Sequence, residues 1–193
     1  MSYSWSDRVD FIIRYMYDID NNGFLDQKDF DCMALRACLV EGKGDFNEER
    51  HKQYLEMMRS LWQEISDLAD FDKVDGKISS EEFKDAVKQT CVGKKYSEFP
   101  KVMKAFIEAN FKMMDGDGDD LVSKNEFRYN CISRIAVDDV KTIDGAFDQL
   151  LNEEDRKRGG INLARYQQLY GDFIGNTDDK NASIHLFGPL PEQ

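Results

Sequence analysis

Apolar residues recur at helical spacing in eight stretches of this chain, set as four pairs around short polar segments. Val9, Ile12, Ile13 and Met16 mark the first entering helix, and Phe30, Met33, Ala34 and Ala37 the helix that leaves it. Tyr54, Met58, Leu61, Ile65 and Leu68 enter the second unit; Phe83, Ala86 and Val87 leave it. The third is entered by Phe106, Ala109 and Met113 and left by Phe127, Cys131 and Ile132. Val140, Ile143, Phe147 and Leu150 enter the fourth, and Leu163, Tyr166, Tyr170 and Phe173 leave it. The pattern predicts an all-α fold of four helix–loop–helix units.

The third connecting segment carries the clearest chemistry. Asp115, Asp117, Asp119, Ser123 and Glu126 stand at positions 1, 3, 5, 9 and 12 of a twelve-residue loop. With the backbone carbonyl of Leu121 at position 7, that is the ligand spacing of an EF-hand calcium loop. At about 4 Å and an effective dielectric of ~20, each carboxylate pair repels by roughly 4 kcal/mol, which a divalent cation relieves. Asp120 takes the place of the usual glycine at position 6, where aspartate tolerates the left-handed conformation.

The first loop offers Asp18, Asp20, Asn22, the Phe24 carbonyl, Asp26 and Asp29, with Gly23 at the sharp turn. Its last ligand is one methylene shorter than glutamate, so bidentate chelation is harder and Mg²⁺ competes better with Ca²⁺. The second loop is thirteen residues long, with one inserted around Lys73 and Val74. Asp70, Asp72, Asp75, the Lys77 carbonyl and Glu82 converge if the extra residue bulges outward; otherwise the site is weakened or silent. The fourth loop puts Glu154, Arg156, Arg158, Asn162 and Arg165 at the ligand positions, and three cations there exclude a metal site. Gly159 and Ile161 nevertheless keep positions 6 and 8, which predicts short antiparallel bridges pairing Leu25 with Ile78 and Val122 with Ile161.

Residues 1–92 thus read as one pair of hands, 97–176 as a second, and 177–193 as an apolar tail docked on the body. Gly93 and Pro100 between the pairs disfavour a continuous central helix. His185-Leu186-Phe187-Gly188-Pro189-Leu190 is a liability if exposed, so it is expected to cover a groove.

Composition narrows the function. Thirty-eight acidic against 26 basic residues give a formal charge of −12, which argues against nucleic acid or an anionic membrane as partner. No apolar run approaches the ~20 residues of a membrane span, and the N-terminus lacks a signal-peptide core, so a cytoplasmic location is expected. Cys32, Cys38, Cys91 and Cys131 show no metal-binding spacing and read as buried free thiols in helices. His51 and His185 are the only histidines. His51 falls in a polar connection and reads as solvated, and no catalytic motif accompanies the two. Asn181 begins a glycosylation sequon, read as chance. Met57, Met58, Met113 and Met114 read as core filler.

The stretches YSW, RYMYDIDNNGFLD, LADFDK, GKKYSEFP, EDRKRGGINLARYQ and HLFGPL make the chain similar to the invertebrate sarcoplasmic calcium-binding proteins, arthropod members above all, over nearly its whole length. That resemblance implies four EF-hands in two pairs forming a single compact globule. It also implies Ca²⁺ at the first three sites with Mg²⁺ competing, and a fourth hand without a functional site. The function expected is a cytosolic Ca²⁺/Mg²⁺ buffer of the sarcoplasm binding two or three Ca²⁺ ions, with no protein target evident, as a monomer or weak homodimer. The alternatives are a calcium sensor with a target and, less favoured, a luciferin-oxidising photoprotein.

Overall fold

Each loop ends on a side chain that caps the helix after it. Asp26, Ser79, Ser123 and Asn162 are the N-caps of the four exiting helices, accepting from the backbone N–H of Lys28, Glu82, Glu126 and Arg165. At the first three, Asp29, Glu82 and Glu126 complete a capping box by accepting from the N-cap backbone. The residue at loop position 12 is therefore a helix-capping residue before any metal is considered. Arg165 has no acceptor to offer at this place, and the fourth exiting helix has only the Asn162 half of the arrangement.

The computed structural model describes residues 3–69 and 76–190. The fold is all-α apart from two short antiparallel bridges. Hand one is α1 (Trp5–Ile12), continued by a π-helical turn over Ile13–Tyr17, then β1 (Phe24–Leu25) and α2 (Gln27–Glu41). Hand two is α3 (Glu48–Ala69), β2 (Ile78–Ser79) and α4 (Ser80–Thr90). A 3₁₀ turn over Tyr96–Glu98 stands between the pairs in place of a continuous helix. Hand three is α5 (Lys101–Met114), β3 (Leu121–Val122) and α6 (Lys124–Ile132). Hand four is α7 (Val140–Leu150), the short α8 (Glu153–Arg158), β4 (Ile161–Asn162) and α9 (Leu163–Gly175).

The bridges hold the expected register: Leu25 opposes Ile78, and Val122 opposes Ile161. All four are buried, so each bridge joins two loops through apolar contact as well as hydrogen bonds. Gly160 lies so close to the Val122 carbonyl that a Cβ there would stand 2.8 Å from it.

The apolar stripes fall inside with few exceptions. Leu68, Ile132 and Val140 are exposed, each at an end of its helix. A single core cluster runs from Trp5 to Leu190 through all four hands. Its aromatic centre includes Tyr17, whose ring lies 5.8 Å from Phe30, 5.5 Å from Phe83 and 5.3 Å from Phe106. The ends of the chain are also tied together. Trp5 Nε1 donates to the Ile174 carbonyl at 2.8 Å, and the fully buried Arg8 donates to the carbonyls of Phe173 at 2.9 Å and Asn176 at 2.7 Å. A cation thereby satisfies carbonyls that α9 leaves open at its C-terminus.

Ile184, Leu186, Phe187 and Leu190 of the tail are buried. The Phe187 ring packs edge-on against Phe173 at 5.1 Å and Tyr170 at 5.6 Å, and stacks on Phe11 at 5.9 Å. Gly188 permits the turn behind it: its φ is +89°, and a Cβ would meet Cys131 Sγ at 2.6 Å.

Two sequence expectations require correction. Cys32 is exposed, whereas Cys38, Cys91 and Cys131 are buried free thiols; Cys32 stands on the outer face of α2, off its apolar stripe. His51 belongs to the first turn of α3 rather than to a connection, and it is half-buried with its ring 5.5 Å from Phe46.

Candidate metal centres

Loop I begins where helical geometry loosens. The Asp18 N–H reaches five residues back to the Ile13 carbonyl at 2.8 Å, closing the π-turn that aims Asp18 into the loop. Asp18 Oδ1 accepts from Asn22 N at 3.0 Å, and Oδ2 from Gly23 N at 2.9 Å. Asp20 Oδ1 accepts from Asn22 N at 3.2 Å, and Asn22 Oδ1 from Phe24 N at 2.9 Å. Asn21 and Gly23 take left-handed conformations, with φ +55° and +85°. Asp29 closes the circle: its two oxygens accept from Ile19 N and Asp26 N, both at 3.0 Å. Asp26 caps α2 through Lys28 N at 2.8 Å.

Loop III repeats the scheme with a longer last ligand. Asp115 Oδ1 accepts from Gly118 N at 2.8 Å and Asp119 N at 3.1 Å, and its Oδ2 from Asp120 N at 3.0 Å. Asp117 Oδ1 accepts from Asp119 N at 3.2 Å, and Asp119 Oδ1 from Leu121 N at 2.9 Å. Glu126 Oε1 accepts from Gly116 N at 2.7 Å and Oε2 from Ser123 N at 2.8 Å. Asp120 occupies the left-handed region at φ +65°.

The result is the same in both loops. Carboxylate oxygens of Asp18, Asp20 and Asp29 come within 4.8 Å of one another, as do those of Asp115, Asp117 and Glu126. Such a set of converging hard oxygens fits a hard divalent cation. Burial differs, however. Asp18 and Asp29 are 6% and 2% exposed, while Asp115 and Glu126 are half-buried and Asp117 is exposed. Burial pushes the Asp29 carboxyl above its ordinary range, and the Asp26 and Ile19 N–H groups offset this only in part. A cation beside it reverses that balance.

Of the second loop, Asp70, Asp72 and Asp75 lie outside the described residues. Its far half is built like the other two. Gly76 has φ +65°, as the left-handed position 6 requires, and Glu82 Oε2 accepts from Ser79 N at 2.8 Å. Lys77 is exposed, with its ammonium 5.4 Å from the Phe24 ring across the bridge.

Loop IV replaces ligands with an ion pair. Asp155, fully buried, accepts from Arg165 Nε at 3.2 Å and Arg158 Nη1 at 3.3 Å, while Arg165 Nη2 donates to the Leu150 carbonyl at 3.3 Å. Arg156 is drawn off to the Asp148 carbonyl. Asp155 escaped the sequence reading because it stands at loop position 2, which supplies no metal ligand. The signal available was an acid next to three arginines of the same loop, Arg156, Arg158 and Arg165.

No protein-family model matches the chain. It is similar to the beta chain of the sarcoplasmic calcium-binding protein of Penaeus sp., 54% identical over 191 residues that cover 99% of each protein. It is also similar to sarcoplasmic calcium-binding protein 1 of Astacus leptodactylus, 51% identical over 191 residues and again 99% of each. Among solved structures, a sarcoplasmic calcium-binding protein from amphioxus superposes with a TM-score of 0.81 at 23% identity, covering 99% of this chain and all of the other.

Proposed function

The chain belongs to the family of sarcoplasmic calcium-binding proteins, and from that premise we propose that it is a Ca²⁺ buffer of the sarcoplasm in which Mg²⁺ competes for the same loops. Its relatives are named as calcium-binding proteins and not as enzymes. Among the described residues, no helix is long and apolar enough to cross a membrane. The −12 formal charge disfavours a nucleic acid partner.

Asp18, Asp20, Asn22, Asp26, Asp29 and the Phe24 carbonyl hold one ion in this reading. Asp115, Asp117, Asp119, Ser123, Glu126 and the Leu121 carbonyl hold another. Asp70, Asp72, Asp75, Glu82 and the Lys77 carbonyl are the ligand set of an optional third. The backbone N–H groups already aim the carboxylates inward, so little rearrangement accompanies loading. Slow exchange of Mg²⁺ for Ca²⁺ at the buried Asp29 site would set the rate at which a transient is damped.

The observation that carries buffering over sensing is Phe187. A sensor opens its helix pairs to present an apolar groove; here the tail fills the interior with a ring against Phe11, Tyr170 and Phe173. One feature favours the sensor reading instead. A groove of about 1140 Å³ beside loop III leaves Leu35, Val40 and Tyr129 exposed. Phenyl-Sepharose chromatography with Ca²⁺ and with EDTA separates the two. A buffer elutes alike in both, whereas capture only with Ca²⁺ would establish a sensor. The protein acts alone in this account, as a monomer or weak homodimer, which sedimentation velocity tests.

A further inference from the structure

Arg134 is the cation that the metal chemistry leaves unexplained. It follows α6, with its Nη1 sealed from solvent and, among the described residues, without a hydrogen-bond partner. Its guanidinium lies 5.5 Å from the Phe187 ring. The charged or titratable groups that act on it are Tyr166 and Tyr170 from α9, Cys131 from α6 and Arg36 from α2. None is a carboxylate. None of these neighbours compensates a guanidinium: burial pushes the two phenols and the thiol upward, so they stay neutral, and the Arg36 charge repels. Arg134 is half-buried, and a partly desolvated cation without a counter-charge is costly, so proteins ordinarily pair it.

Arg134 and Arg36 line the same cleft, of about 260 Å³, between α2, α5 and α6. Arg36 is exposed and stands at the mouth; among the described residues no carboxylate lies within ion-pair distance of it or of Arg134. No Asp or Glu lines the cleft in a chain with a formal charge of −12. Asn110, Asn130 and Ser133 add neutral polar groups to the wall, and Met33, Met58, Met113 and Phe106 form an apolar, deformable side of it. Methionine adapts to ligands of varied shape.

We propose that this cleft binds a small amphipathic carboxylate, its head held between Arg36 and Arg134 and its apolar body laid along the methionine wall. Guanidinium groups match a carboxylate through paired N–H···O bonds, and the two arginines lining the cleft supply the charge that would hold the head. The volume lies near or below the ~300 Å³ lower end of ordinary ligand pockets, so a medium-chain fatty acid fits better than a long one. This site is separate from the metal loops: none of its lining residues is a ligand candidate in loops I to III.

The test is titration of the Ca²⁺-loaded full-length protein with octanoate by calorimetry, with octanol as the uncharged control. Saturable one-to-one binding is expected, at least about tenfold tighter than octanol. Arg36→Gln and Arg134→Met should each weaken octanoate at least about tenfold and leave octanol unchanged. Because Arg134→Met alters the core, the exposed Arg36→Gln variant decides the case if the other fails to fold. No saturable binding, equal binding of octanol, or full affinity in Arg36→Gln would overturn the proposal. Ca²⁺ stoichiometry measured on the same samples keeps a failure of the metal reading distinguishable.

Discussion

Arg165 donates to Asp155 at 3.2 Å across the fourth loop, and the pair reverses the polarity of the active-looking loops. In loops I and III the position-12 carboxylate accepts from the backbone N–H at position 2, Ile19 or Gly116. In loop IV a position-12 guanidinium donates to a position-2 carboxylate. A fixed internal cation thus does at loop IV what a bound ion would do elsewhere, tying the loop to the helix that leaves it. The ion pair closes the fourth loop without a metal, and the Val122–Ile161 bridge joins that loop to loop III.

Asp155→Asn should therefore destabilise the fold by about 3 kcal/mol, since it leaves two arginines without their buried partner. Chemical denaturation in EDTA and in saturating Ca²⁺ should give the same loss. A deficit confined to one condition would show that loop IV depends on metal after all.

Asp29→Glu should raise selectivity for Ca²⁺ over Mg²⁺ at loop I. The longer carboxylate reaches further toward the ion and favours the larger, higher-coordinate cation. Competition titration of Ca²⁺ against Mg²⁺ reads this directly; unchanged competition would count against the ligand-length argument.

Glu64 on α3 supplies a pH prediction away from the metal loops. Burial raises its carboxyl, the Val102 N–H offsets this in part, and Oε2 has no partner. With the folded value raised, the neutral acid favours folding at low pH, and that benefit is lost as pH rises through the folded value. At pH 7 the ionised form is a burden. Glu64→Gln should raise Tm at neutral pH, and the gain should shrink to nothing below the ordinary glutamate range near about 4. A gain independent of pH would place the effect in packing instead.

Arg8→Met should cost about 3 kcal/mol, because it strips a charged donor from the buried Phe173 carbonyl and the half-buried Asn176 carbonyl at the end of α9. Hydrogen exchange should show the loss at residues 170–176 as well as at α1. Protection lost at α1 alone would mean that the two ends are not coupled.

Much of this was legible in the chain. The apolar periodicity located the helices because each hand buries one stripe, and the position-8 residues fixed both bridges because loop geometry leaves them only each other to face. The ligand spacing of Asp18 to Asp29 and Asp115 to Glu126 was legible for the same reason: a loop this short has few ways to converge its oxygens. What escaped notice depends on contacts between distant segments. Arg8 reads as a surface charge until α9 is seen above it, 164 or more residues away in sequence. Arg134 looks like a helix-end cation until Phe187 covers it. Asp155 reads as one acid among several until Arg165 closes on it. Cys32 was misplaced because a thiol's burial is set by the face it occupies, which composition does not reveal.

Calorimetric titration of the metal-stripped protein with Ca²⁺ tests the central claim most directly. In the proposed reading loops I and III each hold an ion, loop II adds a third if its inserted residue is accommodated, and loop IV holds none. Two or three tight sites are predicted, and Asp115→Ala should remove one of them. Four sites would contradict the ion-paired reading of loop IV, and fewer than two would contradict the convergence of carboxylates in loops I and III.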